Sequence, residues 1–445
     1  MVESRAFPKP VIGRETSTQR RPSSVMRTVD PGVAAAMGVR KLESERLVLW
    51  TDLPESTGID TLPQYFDLAV PQYETWFRVS PERTKDWRPV GCVMRNPDVF
   101  RTLQLLPESL PPFRDGYSVY DSFWCHEQET LWYQRNLMFH EGVHCFMVDF
   151  FGGCGAPWYM EGLAEFLAAY RLEDDGTLTL GVIPTLPAGM DRSPGWGRIR
   201  LLQELVRDGE RRSLRGVMRL APEVFDPREA YSWCWATATL LANDPESREV
   251  FRQMAGEVRN PDFTVEFLRR VGDEQWARLE AEWYVFLTDL EYGMDYARTR
   301  VGFGGKTEPV PENVWVRRTI PADRGWIPTG LWVESGEYVR FVARGRIRFS
   351  PDPIVVDGET VEKAAEPDGI SIHYHRGRPL GQLVLAIASV DAPGGFDVSD
   401  WISVGSGCVV PVRRGGELFL RVNDSAADLA DNDGDFEVAI RRVRR

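Results

Sequence analysis

Residues 130–172 read TLWYQRNLMFHEGVHCFMVDFFGGCGAPWYMEGLAEFLAAYRL, and this stretch decides the fold of the first part of the chain. From Thr130 to Phe151 there is no proline and one interior glycine, and Leu131, Leu137, Val143 and Met147 recur one or two turns apart. That is the period of a helix with a buried stripe. The cluster Gly152-Gly153-Cys154-Gly155 ends it, and Pro157 suits the first turn of a second helix, expected to run to about Leu172.

On the first helix, His140 and His144 stand at i and i+4, so both imidazoles lie on one face, as two ligands of one tetrahedral metal require. Glu141 lies between them, placed to take a proton from a water at that metal. Composition alone gives such a match on the order of 0.01 times in this chain. The bland alternative is a pair of satisfied core histidines. A catalytic zinc keeps three protein ligands and one open position. Glu161, separated from His144 by sixteen residues and a Gly-rich reversal, is the carboxylate that a returning helix would bring back as the third. Glu165 follows one turn later, as either an orienting partner of a histidine or an ordinary surface side chain. Tyr231, in the helical stretch AYSWCWA of residues 230–236, is a core aromatic or an oxyanion stabiliser. His126 reads as a surface or core histidine rather than a ligand.

HEGVH followed by WYMEGLAEF resembles the gluzincin metallopeptidases, the thermolysin- and aminopeptidase-like clan, and is closest to bacterial proteins carrying P-W-x-x-E-G-L-A-E, here Pro157 to Glu165. The resemblance spans about residues 46–296. It implies an α+β zincin-like domain, zinc on His140, His144 and Glu161, Glu141 as general base and then acid, and a protein or peptide substrate. In that clan a tyrosine or histidine of a later helix steadies the oxyanion, a place Tyr231 would fill.

Upstream, Arg46–Asp52 and Val90–Val93 read as strands, Pro63–Phe77 and Pro97–Leu105 as helices, and Tyr117–Trp124 as strand-like. Downstream, helical patterns dominate to about Tyr296, including Arg228–Leu241, Arg248–Val258 and Asp273–Leu290. The composition then shifts. Residues 300–314 read as a linker, and residues 315–445 as short strands broken by Gly, Asp and Pro, the composition of a β-sandwich. The expected organisation is a flexible tail at 1–38, a zinc domain at 39–299, the linker and the sandwich.

Near the C-terminus five Asp and two Asn fall within the 13 residues 423–435. They concentrate the hard oxygen donors that calcium takes six to eight of; a solvated acidic turn is the alternative. Gly325–Leu331, Ser335–Glu337, Ala343–Gly345, Asn423-Asp424 and Asp431–Phe436 together resemble the calcium-dependent galactose-binding lectin of the PA-IL type, over about residues 319–443. The resemblance implies calcium on Asp424, Asp428, Asp431, Asn432 and the main-chain oxygen of Phe349, with a carbohydrate ligand near His375. A calcium-stapled sandwich without sugar activity stands beside that reading. So does a carbohydrate- or surface-binding protein whose zinc domain is not proteolytic.

The balance of 43% apolar and 27% charged residues is that of a globular protein, and 15 tryptophans suggest well-filled cores. A net charge of −13 disfavours nucleic acid and anionic membranes as partners, since both are bound by neutralising phosphates. No apolar run approaches a membrane span; Leu383–Val390 is among the longest. The first 38 residues show no signal-peptide core, although a calcium lectin module fits life outside the cytosol. The six cysteines form no CxxC pair or disulfide framework; Cys145 and Cys154 are near enough in sequence to pair.

Overall fold

The computed structural model describes residues 26, 28–186, 197–220, 227–350, 354–356, 359–361 and 363–444. The protein is mixed α/β with several sheets, in two compact units. One comprises Met1–Pro184 and Arg215–Val271; the other comprises Thr185–Leu214 and Gly272–Arg445.

In the first unit, strands β1 (Arg40–Glu43), β2 (Val48–Thr51), β3 (Val90–Met94), β4 (Gly116–Val119) and β5 (Ser122–His126) form one sheet in the order β1-β2-β3-β5-β4. The inner three run parallel; β1 and β4 are antiparallel edges. The single strand-like run expected at Tyr117–Trp124 is therefore a hairpin. It reverses at Tyr120, whose φ of 53° is left-handed without the glycine that would have flagged a turn.

One face of this sheet buries Trp50, Cys92, Met94 and Trp124 against Met26, Ala34, Phe100 and Leu105. Ala34 belongs to α1 (Pro31–Ala36), capped by the Asp30 carboxylate. Part of the expected tail is thus helical and packed; residues 1–25 and 27 lie outside the described residues.

The helix that carries HEGVH is α3 (Leu131–Phe151), and it packs on β4, β5 and α2 (Leu62–Phe77). Thr130 caps α3 by accepting from the Tyr133 N–H, and Gly152, at φ 77°, terminates it. The next helix, α4 (Pro157–Ala168), stops four residues before the expected end. Tyr170–Leu172 instead pairs with Leu178–Leu180 as a small hairpin.

In the second unit two sheets share one core. The first pairs Ile402–Ser403, Leu383–Ala388, Gly416–Val422, Ile327–Val333 and Glu308–Pro309; the second pairs Ala364–Ala365, Tyr338–Phe349, Asn432–Val443 and Val316–Pro321, with Gly407–Pro411 also on Tyr338–Phe349. Leu331, Leu383, Leu385, Leu418 and Leu420 of the first meet Ile320, Phe341, Ile347, Phe436 and Val438 of the second. The opposite side of the first sheet is covered too. Val384, Ala386, Ala388 and Phe419 pack with Trp326, Phe396 and Trp401, and with Ala281 and Val285 of a helix, Asp273–Asp289. This explains the long apolar run at Leu383, since a strand buried on both faces cannot alternate. It also explains why the division falls at Val271 and Gly272 rather than in the expected linker: the last long helix packs with the β-rich unit.

Candidate metal centre

Helix α3 carries His140, Glu141 and His144, and α4 returns across it to bring Glu161 alongside. The turn between them needs Gly155, at φ 82°. Gly162 has a separate reason. A Cβ there would stand 2.6 Å from the Cys234 carbonyl oxygen, so only glycine lets α4 lie against α5 (Pro227–Asn243). That close approach sets Tyr231, on α5, with its ring centroid 6.2 Å from that of His140.

The two Nε2 atoms of His140 and His144 are 3.1 Å apart, and they lie 3.4 and 3.5 Å from one oxygen, Oε2 of Glu161. Donor atoms about 2.0–2.2 Å from a single tetrahedral ion stand roughly 3.3–3.6 Å from one another. The two edges to Glu161 match that spacing and the edge between the histidines is slightly shorter, so the triangle has the size of a zinc site with a narrowed angle between the histidines. Two imidazole nitrogens this close repel through their lone pairs unless a cation or proton lies between them. Oε2 of Glu161 is buried with no hydrogen-bond partner, as is Nδ1 of His144. Among the described residues this is the one set of three His, Cys, Asp or Glu whose ligand atoms all lie within 4.8 Å of one another.

Burial pushes the Glu161 carboxyl up, but the two imidazoles outweigh it and hold it at about 2. Burial likewise opposes a charged His144, and the Cys154 thiol with the Glu161 carboxylate overcomes it, leaving His144 well above the usual histidine range. Glu141 is 4% exposed, and burial raises its carboxyl above the ordinary value against the pull of His140, His144 and the Ser118 hydroxyl.

Oε1 of Glu165 lies 3.4 Å from Nδ1 of His140, so it faces the ring nitrogen turned away from the cluster, where an orienting partner belongs. His126, on β5, packs against Phe113 with ring centroids 5.1 Å apart and the planes tilted by 38°, and is not in the cluster. All six cysteines are free, Cys145 and Cys154 included. One neighbour of Glu141 carried no motif in the sequence: Ser118, on β4, whose place against α3 only the hairpin reveals.

At the acidic loop the structure brings some of the expected residues together. Nδ2 of Asn432 donates to Oδ2 of Asp424 at 2.8 Å, and Asn432 pairs across the sheet with Phe349. Burial, then Asp431 and then Glu291, raises the Asp428 carboxyl. Asp424, Asp428 and Asp431 do not bring three ligand atoms within 4.8 Å of one another, as His140, His144 and Glu161 do. Oδ1 of Asn432 is nevertheless buried without a partner. His375 sits with Nε2 3.7 Å from Oε1 of Glu291, its pKa pushed down to about 4, chiefly by burial.

No family profile matches the sequence, and no curated protein matches it. Among solved structures the chain is similar to the EclA N-terminal domain, a PllA-like lectin, at 20% identity over 29% of this chain and 97% of that one, with a TM-score of 0.22. It is also similar to Aeromonas hydrophila PliG, a periplasmic lysozyme inhibitor of g-type lysozyme, at 9% identity over 33% of this chain and 99% of that one, with a TM-score of 0.15. Among the described residues no helix is long and apolar enough to cross a membrane.

Proposed function

We propose that this chain is a zinc-dependent metallopeptidase of gluzincin type, with a zincin-like first unit and a β-rich unit that binds calcium in the manner of PA-IL-type lectins. The observation that carries the peptidase reading is the zinc-sized triangle of His140 Nε2, His144 Nε2 and a partnerless Glu161 Oε2. Zinc, when bound, supplies Lewis acidity that polarises a carbonyl and acidifies water. His140, His144 and Glu161 would hold it, and Glu165 would keep the His140 ring in place.

Glu141 is the one carboxylate of the motif not facing a histidine as a ligand. It takes a proton from the attacking water and delivers it to the leaving amine. Its raised pKa suits that exchange. Tyr231 offers a phenol near His140 to the oxyanion. The β4 edge favours an extended peptide as substrate. Asp115 O accepts from His126 N on the β5 side, so by antiparallel alternation the N–H and C=O of Gly116 and Ser118 face the free edge.

The test is zinc stoichiometry of the dialysed chain, followed by a peptide-library cleavage screen. One zinc per chain is expected, and Glu161→Ala should weaken it by more than the 10–100-fold that loss of a supporting partner costs. Zinc held equally by wild type and Glu161→Ala would end this reading, and a non-proteolytic, surface-binding protein would take its place.

The calcium reading rests on Asn432 Oδ1, buried and partnerless beside Asp424. Calcium at a hundredfold excess over its Kd should raise the melting temperature of the β-rich unit by roughly 5–10 °C. Asp424→Asn should remove that rise. A melting curve indifferent to calcium would count against the site.

A further inference from the structure

Gly116 opens the hairpin strand β4, where glycine weakens pairing, and its φ is not left-handed, so the backbone does not require it. The space beside it does. A Cβ at 116 would lie 2.4 Å from Oε1 of Glu141, 3.1 Å from its Cδ and 3.0 Å from Leu137 Cδ1. The Glu141 carboxylate therefore rests directly on the bare Cα of the edge strand. Two residues along, Ser118 stands on the same face of β4 as Gly116, the face against which the Glu141 carboxylate rests. The far end of a glutamate is flexible, so a methyl at 116 would leave the strand in place and push the carboxylate aside.

We propose that Gly116 and Ser118 are positioning residues for Glu141, the missing side chain leaving the room and the hydroxyl the anchor that hold the carboxylate beside His140, His144 and Glu161. This rests on the peptidase reading, because the position of Glu141 matters for function only where it moves a proton. A group displaced by about 1 Å from its working place loses on the order of 10²-fold in rate.

The test uses the full chain loaded with zinc, and in parallel with cobalt, whose visible spectrum reports the surroundings of the metal without any substrate. Gly116→Ala should keep full metal stoichiometry and lose on the order of 10²-fold in kcat with KM little changed. Ser118→Ala should lose about tenfold, and Ser118→Thr should recover most of it. The cobalt spectrum of Gly116→Ala should move toward that of Glu141→Gln. The inference is overturned if Gly116→Ala keeps a wild-type kcat, or if its cobalt spectrum matches wild type while Glu141→Gln differs. A cobalt spectrum that Glu141→Gln leaves unchanged overturns it as well. Should Gly116→Ala not fold, Ser118→Ala, which removes one oxygen, decides by the same readouts. Wild-type zinc enzyme as inactive as Glu141→Gln would instead sink the peptidase reading, and the cobalt spectra would still decide the positioning.

Discussion

Glu141→Gln is expected to lower kcat on a cleaved peptide by about 10²–10⁴-fold, the span that removal of a general acid–base covers, with zinc content unchanged. The amide keeps the shape of the carboxylate and stays within the same walls, Gly116, Leu137 and the β4 edge, so the fold has no reason to respond. It cannot accept the proton. Steady-state kinetics beside elemental analysis separates this outcome from metal loss, which would point to damage at His140 or His144, one residue before and three after. Hydrolysis surviving in Glu141→Gln would mean that another group moves the proton, and the mechanism drawn from the HEGVH helix would fall.

The largest expected effect on stability lies in the β-rich unit, at Arg421. Its side chain is 1% exposed, and its Nη1 reaches both carboxylate oxygens of Asp289, also 1% exposed, at 3.0 Å. Nη2 donates to the Asp424 carbonyl, and the guanidinium lies 5.4 Å from the rings of both Trp326 and Trp401. Asp289 ends its helix, where the helix dipole disfavours an anion, so the arginine offsets that as well as desolvation. Arg376 gives partial cover, at 3.1 Å from Asp289 and 2.8 Å from Glu291. Arg421→Ala strands a buried carboxylate, which costs about 3–5 kcal/mol. For a unit of this size that is roughly 6–20 °C in melting temperature, read by calorimetry. Replacing the pair together, Arg421→Met with Asp289→Leu, should cost far less, because no charge is left behind. A single variant that melts with wild type would show the pair to be solvated.

The parts of the site that share a helix were legible in the sequence. His140, Glu141 and His144 follow from the 3.6-residue period, and Glu161 follows from a turn long enough to return a helix. What depends on distant backbone was not. Nothing local distinguishes Gly162 from any tolerated helix glycine until Cys234 stands opposite it. Ser118 gains meaning only when the chain reverses at Tyr120, a turn without glycine or proline to announce it. In the same way the period of Asp273–Asp289 identified a helix but not which apolar surface it covers. A buried pair such as Asp289 and Arg421, 132 residues apart, leaves no trace in either local sequence.

Because Leu383–Ala388 and Gly416–Val422 are buried on both sides, anyone cutting the chain for separate expression meets a practical rule. A fragment beginning at residue 315, where the strand-rich composition starts, would lose Ala281 and Val285 from the cluster that covers Val384, Ala386, Ala388 and Phe419, and so expose apolar surface and invite self-association. The helix ahead of the linker is as much a wall of that fragment as any strand in it, so a fragment must keep Gly272 onward together with Thr185–Leu214, which belong to the same unit.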